Sequence, residues 1–154
     1  RPEGFNQGMQ EYENIEYLGI QLADSDIPTA ESMALNYLTA NPDISVIFCS
    51  NDAAITGASN AFLQEGICGE VKLCSVDVSE DIISYIKTGM VTATVLQSPY
   101  NMGYEGVKTI LALLNGQSVE KQVDAGTYLL TKDNLDTDEA LAAIRQYLPN
   151  YQPE

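Results

Sequence analysis

Three short apolar runs mark the middle of the chain, at residues 45–50, 71–76 and 91–96, and a polar residue follows each: Asn51-Asp52, Asp77 and Gln97. Helix-like stretches separate the runs. That alternation predicts βαβαβ and a parallel sheet, hence an α/β fold with three α/β/α layers. In an open parallel sheet, ligands bind beyond the carboxyl ends of the strands. Asn51, Asp77 and Gln97 are thus expected to face one crevice. A carboxylate that accepts and two amides that both donate and accept suit the hydroxyls of a small polar ligand.

The remaining elements are read from periodicity and from helix punctuation. Pro2 fits a first helical turn, and Phe5, Met9 and Tyr12 recur at helical spacing. A strand is expected over 15–22. Asp24 and Asp26 then favour a helix N-terminus, and Ala30, Met33, Ala34, Tyr37 and Leu38 give that helix one apolar face up to Asn41-Pro42-Asp43. A second helix is expected over 52–65, with Asn51 or Ser50 as cap and Gly66 as stop. A third spans 80–88, between Ser79 as cap and Gly89, with Glu80 and Asp81 in its first turn and Lys87 in its last. A fourth runs from Ser98-Pro99 to Gly116, with Gly103, Val107, Ile110, Leu111 and Leu114 along one side. A fifth strand over 127–131 precedes a last helix, where Asp136 and Glu139 resemble a capping box and Leu141, Ile144 and Leu148 face inward.

Composition narrows the function. The 154 residues make about one domain, and 45% hydrophobic content can bury a core. Seven Lys+Arg against 22 Asp+Glu give a formal charge of −15, which argues against nucleic acid and anionic lipid as partners. The acidic residues are scattered, as on a solvated surface. With no histidine, histidine acid–base catalysis and histidine metal sites are excluded. Cys49, Cys68 and Cys74 form no CxxC pair, and the two within strands read as small hydrophobes. No cofactor motif appears, neither a nucleophile–base pair nor a Gly-rich phosphate loop. The acidic pairs Asp24/Asp26 and Glu80/Asp81 sit where helix dipoles account for them, so no enzyme is expected.

Several ordered motifs resemble the type I periplasmic sugar-binding proteins of ABC transporters, with the ribose- and galactose-binding proteins as the nearest comparison. They are Asn41-Pro42-Asp43-Ile44, Phe48-Cys49-Ser50-Asn51-Asp52-Ala53-Ala54, Gly57-Ala58, Val76-Asp77, Ile86-Lys87-Thr88-Gly89, the run from Ala93 to Tyr100, and the run from Met102 to Val107. LacI-type repressor ligand domains share that fold. Their proline-bearing stretch before the third strand and their usual ending are missing here, which favours the transporter branch. The resemblance implies ligand roles for Arg1, which reaches a ring oxygen or hydroxyl, for Asn51, for Asp77, which holds a pair of hydroxyls, and for Gln97. Read locally, Asn51 also suits a helix cap, Asp77 a turn and Gln97 a hinge.

Two positions depart from the family. Ser25 stands where an aromatic is common, and so does Val76. Aromatic faces sandwich a sugar ring, so a larger sugar, a polyol, a furanose-like signal or a nucleoside also fits, with Ser25 kept among the candidate ligand residues. The resemblance further implies two lobes closing on the ligand, with 1–154 a partial C-terminal lobe and 98–123 packing on an N-terminal lobe that this chain does not contain. The expected function is solute recognition for an ABC importer, with an ABC permease as partner, in an extracellular or periplasmic setting and with a signal or lipid anchor upstream. The alternative is the ligand-sensing domain of a sensor kinase or LacI-type regulator. A fragment with an uncovered apolar helix is also expected to form a homodimer.

Overall fold

The computed structural model describes residues 1–153. Its elements in chain order are α1 (Pro2–Met9), α2 (Ile27–Ala40), β1 (Val46–Cys49), α3 (Asp52–Glu65), β2 (Lys72–Val76), α4 (Glu80–Thr88), β3 (Val91–Gln97), α5 (Pro99–Leu114), β4 (Thr127–Thr131) and α6 (Asp138–Ile144). The fold is α/β with an open, mostly parallel four-stranded sheet in the order β1-β2-β3-β4. The chain divides into two compact units, Arg1–Ser75 and the part from Val76 onward.

In the first unit β1 pairs in parallel with β2, Val46 opposite Lys72 and Cys49 opposite Ser75. α3 packs on β1, and α2 packs on α3. The two helices approach so closely that a Cβ on Gly57 would lie 2.6 Å from the Ile27 carbonyl oxygen. Ile55, Ala58, Ala61 and Phe62 of α3 are buried beneath α2 and the strands. Caps set the helix ends. Asn51 is extended and its Oδ1 accepts from the Ala54 N–H at 2.9 Å, while Gly66 closes α3 at φ 70°.

In the second unit β4 runs antiparallel to β3, Gln97 opposite Thr127 and Ala93 opposite Thr131. α4 packs on β3 through Ile82, Ile83 and Ile86, and α6 on β4 through Ala140, Ala143 and Ile144. The apolar stripe of α4 has helical spacing, and Ser79 and the left-handed Gly89 bound it.

Three expectations are corrected. Residues 15–22 form no strand. A strand needs a partner to satisfy its backbone groups, and Gly19 at φ 92° breaks the extended run. A cavity of about 1040 Å³ lies between this segment and β1, lined by Tyr17, Tyr37, Phe5 and Phe48 among others. The cap of α6 is Thr137, whose Oγ1 accepts from the Ala140 N–H, and Asp136 stays in the preceding turn. Of the three residues expected to face inward there, only Ile144 is fully buried; Leu141 and Leu148 are half-buried.

None of the three cysteines forms a disulfide; Cys49 is buried and Cys68 exposed. Burial, with Cys74 nearby, pushes the Cys49 thiol up to about 12. Among the described residues no helix is long and apolar enough to cross a membrane.

Candidate functional site

Each unit carries its own set of candidate residues at strand ends. In the first, Arg1, Ser25 and Asn51 gather beyond the carboxyl end of β1. The Arg1 Nη1 donates to the Ser50 carbonyl at 2.6 Å, which brings the guanidinium to the residue before the α3 cap. Asn51 Nδ2 donates to Ser25 Oγ at 3.4 Å, a long bond, while its Oδ1 is committed to capping α3. The cap reading of Asn51 therefore holds, and its amide nitrogen points at Ser25. Ser25 and its neighbour Asp24 are both left-handed, at φ 61° and 49°. Phe5 of α1 stacks on Phe48 of β1 with centroids 4.7 Å apart, which fixes α1 and with it the Arg1 end.

In the second unit Asp77 and Gln97 meet. β2 ends at Val76, so Asp77 is the first residue beyond it, and Gln97 is the last residue of β3. Gln97 Nε2 donates to Asp77 Oδ1 at 2.6 Å. The Asp77 backbone is left-handed at φ 74°, a conformation that costs a residue with a Cβ and persists only where its surroundings enforce it. Here they do. The Asp77 N–H donates to the Val95 carbonyl at 2.9 Å, and Thr94 Oγ1 donates to the Asp77 carbonyl at 2.6 Å. Thr94 is fully buried, so the bond is shielded from water.

A third residue belongs to this cluster and was missed in the sequence. Tyr147 donates its hydroxyl to Asp77 Oδ1 at 3.2 Å and accepts from the Gln97 N–H at 2.8 Å. Burial holds its phenol above the usual range; the Asp77 carboxylate adds to that, and the Gln97 N–H pulls the other way. Tyr147 lies 70 residues from Asp77 and 50 from Gln97. No local motif marks it, and the only sequence signal is an aromatic just past the last helix.

The arrangement suits recognition. One carboxylate oxygen is fixed by two donors of the chain, and an amide beside it offers both signs of hydrogen bond. Of the acidic residues singled out in the sequence, Asp26, Glu80 and Asp81 lie at helix starts. Asp26 caps α2 through the Thr29 N–H at 2.9 Å and the Thr29 hydroxyl, which lower its pKa, while Glu80 and Asp81 lie in the first turn of α4. Among the described residues, no three His, Cys, Asp or Glu side chains cluster as metal ligands.

Comparison with known proteins shows the family. Residues 1–118 match the family described as periplasmic binding protein domain. The chain is 31% identical to the D-allose-binding periplasmic protein of Escherichia coli K12 over 111 residues, 72% of this chain and 36% of that protein. It is 31% identical to the ribose import binding protein RbsB of Salmonella typhimurium over 132 residues, 86% of this chain and 44% of that protein. The chain thus spans less than half the length of these curated relatives. Among solved structures, an ABC transporter solute binding protein from Agrobacterium vitis with bound D-fucose superposes with a TM-score of 0.84 at 33% identity, covering 94% of this chain and 50% of that one. A second from the same organism, bound with α-D-tagatopyranose, gives 0.85 at 27% identity, covering 92% and 48%. By its motifs, its fold and these matches, the chain belongs to the type I periplasmic sugar-binding family.

Proposed function

We propose that this chain recognises a neutral, hydroxyl-rich solute for an ABC importer, working as one lobe of a two-lobe protein outside the cytoplasm. The observation that carries the reading is the Asp77–Gln97 pair. A carboxylate held in a left-handed turn at a strand end, with an amide 2.6 Å away, is arranged for a ligand with adjacent hydroxyls. Arg1, Ser25 and Asn51 are candidate hydrogen-bonding groups for a ligand as well. The relatives named for ribose and allose support a sugar, and the bound D-fucose and tagatopyranose of the structural neighbours point the same way. No aromatic stands at Ser25 or Val76, so ring stacking contributes less here and the polar groups carry more of the selectivity.

The second lobe of that two-lobe protein docks on the segment 98–123. This is supported by α5, which buries none of its residues although Val107, Ile110, Leu111 and Leu114 are apolar. Without that lobe, the chain binds sugar weakly, because half of the contacts and the exclusion of water on closure come from elsewhere. The test is calorimetry of the two-lobe protein with a panel of sugars including D-ribose and D-allose. Asp77→Ala leaves ligand hydroxyls unpaired and costs about 1–3 kcal/mol or more. Unchanged affinity in that variant rejects the assignment.

A further inference from the structure

We propose that Tyr147 is the positioning residue for Asp77, so that the end of the chain after α6 forms part of the recognition site. The proposal rests on the sugar-binding reading for its purpose, and on geometry alone for its substance. Residues 145–147 turn immediately after α6 and place two consecutive side chains against the carboxyl end of β3. Gln146 Oε1 accepts from the Ser98 hydroxyl at 2.9 Å. Tyr147 Oη accepts from the Gln97 N–H at 2.8 Å and donates to Asp77 Oδ1 at 3.2 Å. Three successive groups are thereby linked, from the β3 backbone through the phenol to the carboxylate.

The link answers a specific need. Asp77 has a left-handed backbone, and a short side chain there has rotational freedom unless it is held. Gln97 Nε2 holds Oδ1, but that amide belongs to a flexible side chain which is itself a candidate ligand group. The phenol is rigid and half-buried, and its own oxygen is pinned by a backbone N–H. It therefore holds Oδ1 while Gln97 is left able to rearrange around a ligand. Asp77 and Gln97 lie within the family match over 1–118, and Tyr147 lies beyond it.

Two measurements test it. The first needs no sugar. In the 154-residue chain labelled with ¹³Cζ-tyrosine, the Tyr147 phenol is titrated by NMR in the wild type, Asp77→Asn and Lys108→Ala. The Asp77 carboxylate opposes ionisation of the phenol, so Asp77→Asn lowers its midpoint, and Lys108→Ala leaves it in place. An unmoved midpoint in Asp77→Asn overturns the tether. The second measurement is calorimetry of D-ribose and D-allose binding to the two-lobe protein, where Tyr147→Phe weakens affinity about tenfold by freeing the carboxylate. Wild-type affinity in Tyr147→Phe overturns the positioning role. A wild-type protein that binds no sugar, but whose Tyr147 midpoint falls in Asp77→Asn, overturns the sugar reading and upholds the tether.

Discussion

Helices α4 and α5 sit on either side of β3 in the chain and carry similar punctuation, yet they meet opposite fates. α4 has nine residues and buries three isoleucines almost completely. α5 has sixteen, and none is buried; Val107 is 59% exposed and Leu114 78%. Their start signals differ in a way that matters. Ser79 caps α4, its hydroxyl accepting from the Ile82 N–H, whereas Ser98 makes no cap bond and gives its hydroxyl to Gln146. One helix is stabilised by the core it joins. The other is long and apolar and gains no such support from the core, although packing of an apolar face supplies most of a helix's stability in a protein.

The same truncation on the two helices sharpens this contrast most. Ile86→Ala removes a side chain that is fully buried and is expected to cost about 2–5 kcal/mol in chemical denaturation. Ile110→Ala on α5, where the residue is 58% exposed, should change stability by less than about 0.5 kcal/mol. If both cost the same, the two helices are not different in kind. Next in size is association. Covering about 500 Å² of apolar surface is worth about 12 kcal/mol, against an association cost of about 4–15 kcal/mol, so the chain is expected to dimerise at high concentration. Ile110→Glu should return it to a monomer in sedimentation velocity, and a wild type that stays monomeric throughout breaks the comparison.

A smaller effect separates the two serines. Ser79→Ala should cost about 1 kcal/mol and speed hydrogen exchange in the first turn of α4. Ser98→Ala should leave exchange at the start of α5 unchanged, because no cap bond is lost there. The smallest effect is that of the α5 surface pair Lys108–Glu105, at 2.9 Å and exposed. The Glu105 carboxylate raises the lysine pKa by hydrogen bond and charge, so any contribution is present below the usual lysine range and fades as pH rises past it. Glu105→Gln should not move the melting temperature measurably at physiological salt.

The sequence resolves what is local. The boundaries of α3 and α4 follow from Asn51, Gly66, Ser79 and Gly89, because a cap is decided within a few residues of itself. The pairing of Asp77 with Gln97 was also readable, since a parallel sheet puts successive strand ends at one edge. What escaped is non-local. The alternating apolar pattern of 15–22 looks like a strand, but pairing needs a neighbour that sequence spacing does not supply, and the segment faces a cavity instead. Tyr147 escaped for the same reason, as its two partners are 50 and 70 residues away. The apolar face of α5 was visible in the sequence, and its exposure followed from the resemblance to a two-lobe family, which left that face without a covering lobe.

The cysteines give the molecule a ready handle for optical work. Cys49 is shut in the core, and its thiol ionises only near 12, so it stays inert to maleimide dyes at neutral pH. Cys68 is on the surface, just past the left-handed Gly66 that closes α3. A fluorophore supplied in slight excess should therefore attach there first, without any residue having to be engineered in. The dye would occupy a side chain other than Asp77, Gln97 and Tyr147, and so leave the polar cluster chemically untouched.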